Sequence, residues 1–196
     1  APNKLEKFLS NLLLLNVNYL HWGPEHVHGH HTNVATHKDP ATARFGESIY
    51  TFLPRTVIGT WLSSWRHARA KFGEAGGNAR MLAYAVAPLV WASIIARRCG
   101  GGKRAVAAFY VQGLLSACLL ELVNFTEHYG LTRDKLPDGS YEPVNPTHSW
   151  NSSHRLSNAF LFNLQRHSDH HTFAMRPYHL LRSFKESPTL PTGYPG

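Results

Sequence analysis

The chain has 196 residues, with 20 Lys+Arg against 12 Asp+Glu, a net charge of +8 before any of its 14 histidines takes a proton. Its 43% apolar and 12% aromatic content excludes a disordered chain, and two cysteines, Cys99 and Cys118, are too few for a disulfide scaffold or a thiolate zinc ribbon. Charged residues reach only 16%, against roughly a quarter in ordinary soluble domains, which points to a membrane or a large apolar interface.

The length fits a single domain over 1–196. Residues 8–20 form an apolar run long enough for a helix, although Asn11, Asn16 and Asn18 argue against full exposure to lipid. A histidine-dense stretch runs from His21 to His37. Asp39 to Arg44 then reads as a turn opening into a helix, with Pro40 near its start. Residues 49–65 are apolar and aromatic but interrupted by Pro54 and Gly59, and 66–78 form a polar break, so 1–80 holds the first histidine box and interfacial helices. Residues 81–96 and 105–120 carry no charge over 16 residues each, slightly short of the ~17–25 that cross a bilayer. Flanking Arg97, Arg98, Lys103 and Arg104, with Gly100 to Gly102 between them, favour a transmembrane hairpin over 81–125 rather than a buried soluble hairpin. Two spans beside a polar remainder also account for a mean hydropathy of −0.28. Segment 126–182 has a turn-rich stretch from Asp134 to Asn151 and then a helix over 157–172, and 183–196 reads as an extended tail. Ala1 is followed by no leader pattern, so the chain is expected to begin inside a longer protein. Strand signals are weak throughout, and the fold class is all-α.

Three clusters carry the chemistry. His26, His30 and His31 form an H-x₃-H-H pattern, in which the first two share one face of an α-helix. His128 closes the second apolar run, and Glu121, Asn124 and His128 make a polar stripe down its helix. His167, His170 and His171 again fall on one helical face. Seven imidazoles are too many for one tetrahedral ion and enough for a di-metal site between helices. Glu25, Glu127 and Asp169 each stand beside a histidine, where a carboxylate can fix the tautomer of a ligand on another element, and Asn124 belongs with them. His21, His28, His37, His67, His148, His154 and His179 are read as ordinary capped or solvent-facing residues. The sequence has no H-E-x-x-H zinc motif, and its cations are scattered without a nucleic-acid reader motif, so no nucleic acid is expected as partner.

EHVHGHH (25–31), NFTEHYG (124–130) and LQRHSDHH (164–171) resemble, in order, three signatures of the integral-membrane alkane 1-monooxygenases, and DPATARFGE (39–47) and TFAMRPY (172–178) are similar to that family too. The likeness runs from about residue 5 to residue 181. The histidine spacings alone are shared with membrane desaturases and hydroxylases generally. The resemblance implies a six-span enzyme of the bacterial inner membrane whose active site faces the cytoplasm. Two iron ions are its cofactor, an alkane and O₂ its substrates, and a rubredoxin supplies two electrons for hydroxylation to the 1-alkanol. It carries His26, His30, His31, His128, His167, His170 and His171 over as iron ligands. The family's first histidine motif precedes the Glu25 box and is not in this chain. The chain is therefore expected to be a C-terminal part, partnered by the rest of the same enzyme in the bilayer.

Breaking an unactivated C–H bond requires a redox metal, which excludes zinc. An all-imidazole set leaves the metal charge uncompensated, so Glu25, Glu127 and Asp169 are expected to matter as nearby anions. Leu114, Ser116 and Cys118 are candidates for the wall of the substrate path. Arg66, Arg69, Lys71, Arg166 and Arg182 are candidates for docking an acidic rubredoxin, or for touching anionic lipid. The cationic connector 97–104 would favour the cytoplasm by the positive-inside rule, whereas the family topology places it outside, and upstream spans usually dominate. The alternatives are another membrane di-iron enzyme, a fatty-acid desaturase or a xylene-type hydroxylase, and a non-catalytic metal-binding membrane module.

Overall fold

The computed structural model describes residues 3–194, and these are helical, with two isolated β-bridges and no strand among them. The all-α expectation holds. The chain divides into two compact units, one of residues up to Gly29 and 57–121, the other of 30–56 and 122 onward.

The first unit opens with α1 (Lys4–Asn16). Asn3 and Glu6 cap it reciprocally, each side chain accepting the other's backbone N–H at 2.9 and 2.7 Å. Asn16 ends it: its amide donates to Leu12 O at 2.8 Å, its Oδ1 accepts Trp91 Nε1–H at 3.0 Å, and its carbonyl accepts from Gln112. One of the asparagines that argued against lipid exposure is thus the hub tying α1 to two long helices. The short α2 (Trp22–Glu25) follows, and α3 (His31–Asn33) lies in the second unit.

Helix α4 (Ile49–Arg98) runs straight through Pro54 and Gly59. The break comes at Gly73, whose φ of 73° and ψ of 172° suit glycine. The polar stretch 66–78 is therefore a kink inside helix, which sets Trp65 Nε1–H on Asn78 Oδ1 at 2.7 Å and Ser64 against Met81. Helix α5 (Gly102–His128) follows a three-residue connector in which Gly100 has φ +65°. Both helices are long and apolar enough to cross a membrane. They outrun the charge-free 16-residue runs because their polar ends, Asn78 and Glu121 to His128, are also helical. The buried apolar residues along them include Ala68, Ala92, Ala96 and Ala117 beside Met81 and Phe109, while Leu82, Leu89, Leu114 and Leu119 are more than half exposed. Close packing through small residues with large apolar ones facing outward is membrane-protein architecture.

In the second unit the stretch after Asp39 does not open into a helix. It winds through turns to Ile49 because Arg55 pins it, donating to Pro40 O and Thr42 O at 3.0 Å and clamping Glu47 at 2.6 and 2.7 Å. The single helix expected over 157–172 is two: α6 (Arg155–Phe160) and α7 (His167–Thr172). Phe162 (φ 51°) and Asn163 (φ 61°) turn left-handed between them, and Asn158 secures the first by donating to Ser152 O and His154 O. The tail is not free coil. Asn151 and Thr189 form a parallel bridge, with Asn151 N–H on Pro188 O and Leu190 N–H on Asn151 O, both 2.8 Å.

Candidate metal centre

The second unit brings four buried histidines from three distant stretches to one point. One ring nitrogen from each of His30, His128, His167 and His171 lies within 4.8 Å of all the others. His167 Nε2 is the centre of the group: His171 Nε2 lies 2.9 Å from it, His128 Nε2 3.2 Å and Glu127 Oε2 3.1 Å. A neutral ring nitrogen offers one proton or one lone pair, so a proton on His167 Nε2 cannot satisfy three such neighbours at once. A cation among them can. Charging the rings instead is opposed: burial, reinforced by His167 and His30, holds His171 well below the usual imidazole range. A neutral, buried, all-imidazole set with a carboxylate at its edge suits iron, zinc, copper or nickel.

Next to this group, His31 and His170 lie with ring centroids 4.7 Å apart, and His31 lies 4.5 Å from His171. Burial lowers His31 to about 3, with help from His170 and His30, and lowers His170 to about 4. His26 belongs to the first unit, where its ring stacks on Trp22 at 4.2 Å. The backbone of His26–His30 is a π-helical turn, not the α-helix expected for an H-x₃-H face. Such single wide turns re-aim side chains and recur at functional sites. Gly29 lies within it, with the Glu25 carboxylate packed against the place where a Cβ would stand.

The anions divide by role. Glu127 points at the nitrogens themselves. His30 is oriented by Asp39, a residue sequence reasoning passed over: Oδ2 accepts His30 Nδ1–H at 2.8 Å and Thr42 Oγ1–H at 2.6 Å, and Oδ1 accepts Ala41 N–H at 3.0 Å. Burial alone would raise Asp39, but His30, Thr42 and Ala41 outweigh it and hold the carboxyl below its usual range. With Nδ1 protonated toward Asp39, His30 keeps its lone pair on Nε2. An acid within ten residues of the histidine box was the available signal. Asp169 serves arginines, receiving Arg176 and the Arg182 backbone N–H at 2.8 Å, and so fixes the end of α7 rather than a ring. Ser168, also missed, is held by Asn151, which donates to its Oγ at 2.7 Å and accepts its N–H at 2.9 Å. Asn124 is buried on α5, and Glu25 is buried on α2 in the first unit.

The proposed docking cations are partly engaged already. Arg69 pairs with Glu74, Lys71 lies over Phe72, Arg166 donates to Leu181 O, and Arg182 Nη2 reaches Asp169 at 3.5 Å. Arg66, Arg69 and Lys71 are in the first unit, Arg166 and Arg182 in the second. Two histidines outside the clusters are core residues: His21 sits edge-on to Tyr19 and Trp61, and His148 lies 3.1 Å from Glu142 Oε1.

Residues 2–195 match the family model described as fatty acid desaturase. The chain is 40% identical to alkane 1-monooxygenase 2 of Pseudomonas aeruginosa over 98% of its length and 52% of that protein. It is 42% identical to alkane 1-monooxygenase 1 of Alcanivorax borkumensis over 97% of its length and 48% of that protein. The xylene/toluene monooxygenase hydroxylase component of Pseudomonas putida is 24% identical over 85% of the chain and 45% of that protein. The chain thus spans about half the length of the curated relatives it matches. With a family match running through all three histidine stretches that build the buried cluster, the chain belongs to the fatty acid desaturase family.

Proposed function

We propose that this chain supplies most of the metal site of a membrane alkane 1-monooxygenase, which converts alkanes to 1-alkanols with O₂ and two electrons from a rubredoxin. The observation that carries the reading is the convergence of four buried imidazoles in a chain about 40% identical to alkane 1-monooxygenases. In this reading His30, His128, His167 and His171 hold one iron, and His31 and His170 hold a second, with His26 added on the motif resemblance. Bound iron would supply the reductive activation of O₂ that an unactivated C–H bond demands. The protein's own part is to keep His31, His170 and His171 neutral by burial, fix the His30 tautomer through Asp39, set a carboxylate beside them through Glu127 and keep bulk water out of the buried group.

The first unit contributes a cleft of about 490 Å³ whose lining includes Trp61, Leu89, Tyr110, Leu114 and Ala117. Its apolar walls suit an alkyl chain arriving from lipid. Leu114 is one of the wall candidates read from the sequence; Ser116 and Cys118 do not line it. In this reading the site faces the cytoplasm of a bacterial inner membrane, and the rubredoxin docks on surface cations, for which Arg66, Arg69 and Lys71 of the first unit and Arg166 and Arg182 of the second are separate candidates.

Membranes carrying this chain together with the rest of the enzyme, given octane, ¹⁸O₂, NADH, rubredoxin and its reductase, are expected to form 1-octanol with one ¹⁸O and to lose that activity steeply with salt, whereas the chain by itself is expected not to hold a complete two-iron site. An alkene from an acyl chain would replace the reading with a desaturase. A benzylic alcohol from xylene with no octanol would favour the xylene-type reaction, and zinc in place of iron with no product would leave a non-catalytic metal module.

A further inference from the structure

The tip of the α4–α5 hairpin carries a strongly charged motif that the metal site leaves unexplained. Arg97 and Arg98 end α4, and Lys103 and Arg104 lie in the first turn of α5. The sequence has no acid anywhere from 75 to 120, and among the described residues none of these four cations enters an ion pair. Two of them converge on a gap between the helix ends. Ser93, Ala96 and Arg97 of α4 and Gly102, Lys103 and Val106 of α5 line a cavity of about 350 Å³. The gap stays open because its walls are short: Ala96 offers one methyl group, and a Cβ on Gly102 would meet nothing within 4 Å.

Ser93 and Arg97 also border a second hollow of about 320 Å³ along α4, whose other walls are Leu89, Val90 and Ile94. These three are 55%, 53% and 43% exposed, so the groove is open along the apolar helix for about 12 Å from Arg97 to Leu89. The Ser93 hydroxyl proton goes to Leu89 O at 2.8 Å, so it is not offered to a ligand in the groove. Two cations at the head of an apolar groove, on helices long enough to cross a membrane, match a molecule with a phosphate at one end and an alkyl chain at the other.

We propose that the hairpin tip binds one anionic phospholipid, its phosphate between Arg97 and Lys103 and an acyl chain along Leu89, Val90 and Ile94. A lipid phosphate gives the connector its missing counter-charge in whichever leaflet it lies. This site is independent of the metal centre and of the reaction proposed for it.

The test is native mass spectrometry of the purified protein released from nanodiscs of phosphatidylcholine and phosphatidylglycerol in equal amounts. One phosphatidylglycerol is expected to stay bound in preference to phosphatidylcholine. Each cation in contact with the phosphate is worth about fivefold, so Arg97→Gln with Lys103→Gln should weaken retention about twenty-five-fold. Arg98→Gln with Arg104→Gln removes the same charge outside the cavity lining, where salt screens it, and should cost about twofold. Arg97→Lys with Lys103→Arg keeps both charges and should keep the lipid, which separates a lost contact from a misfolded hairpin. Equal losses in the two charge-removing variants, or a wild type that does not prefer phosphatidylglycerol, overturn the proposal. Displacement of the lipid by inorganic phosphate overturns it too, by giving the cavity to a free anion.

Discussion

Asp39→Asn is the most searching perturbation of the centre, because it changes a tautomer without changing a shape. In the native protein Asp39 Oδ2 takes the His30 Nδ1 proton at 2.8 Å, which leaves the Nε2 lone pair for a metal. Asparagine that keeps its oxygen on the Ala41 N–H, 3.0 Å from Oδ1, puts its NH₂ at the Oδ2 position, which faces both His30 and the Thr42 hydroxyl 2.6 Å away. Its NH₂ must then face His30 Nδ1. A donor cannot meet a donor, so the ring moves its proton to Nε2, the atom the metal needs. Losing a carboxylate behind a ligating histidine typically costs ten- to a hundredfold in metal affinity, which is about 1.4–2.7 kcal/mol. Asp39→Ala should cost more in stability. It leaves the His30, Thr42 and Ala41 donors facing a hole in a site only 2% exposed, at about 1–3 kcal/mol for each one left unsatisfied. The assay is Co²⁺ or Fe²⁺ affinity by competition, with thermal unfolding of the metal-free protein alongside. Asparagine should unfold nearer to wild type than alanine while binding metal at least tenfold more weakly than wild type. Wild-type affinity in Asp39→Asn would refute the tautomer argument and reduce Asp39 to a loop pin.

Gly29→Ala would drive a methyl group into the Glu25 carboxylate and to 3.1 Å from Ser63 Oγ, so it should destabilise the protein by about 1–3 kcal/mol in detergent unfolding, and a neutral result would mean that Glu25 is free to move. His167→Ala should abolish tight metal binding, whereas His148→Ala, which loses its 3.1 Å contacts with Glu142 and Asn145, should lower stability and leave metal content near wild type, as elemental analysis would show. For His21, burial lowers the ring from 6.5 to about 4, so between those values the unfolded chain binds a proton that the folded one refuses. Stability is unaffected above pH 6.5 and falls as pH drops through that window, by up to about 1.4 kcal/mol per pH unit. His21→Phe should flatten that part of the stability–pH curve by this slope, and an unchanged curve would place the His21 ring in contact with water.

What could be read from the residues, and what could not, follows from how far each feature reaches along the chain. The histidine spacings are local, and they pointed to a shared pocket because one helical turn aims imidazoles at i, i+3 and i+4 together, as α7 does with His167, His170 and His171. The paired apolar helices and the glycine connector are local too, and their flanking cations marked their ends. The π turn at His26–His30 was invisible, since α and π backbones accept the same residues; Gly29 within it packs its Cα face on the Glu25 carboxylate. Pro54 and Gly59 were misleading because punctuation weighed for helices in water counts for less in a long apolar one, while Gly73, an exposed residue within a polar stretch, carried the real break. The groups that tie the centre together reach beyond one helical turn: Asp39 bonds His30 across nine residues, and Ser168 bonds Asn151 across seventeen and Ser187 across nineteen. None leaves a periodic trace. A ligand set can be recognised from spacing because helix geometry is universal, but the groups that hold each ligand in its tautomer are chosen by a tertiary path specific to this chain. Substitutions outside the histidine boxes, at Asp39 above all, are therefore where this site is expected to be most easily detuned without being destroyed.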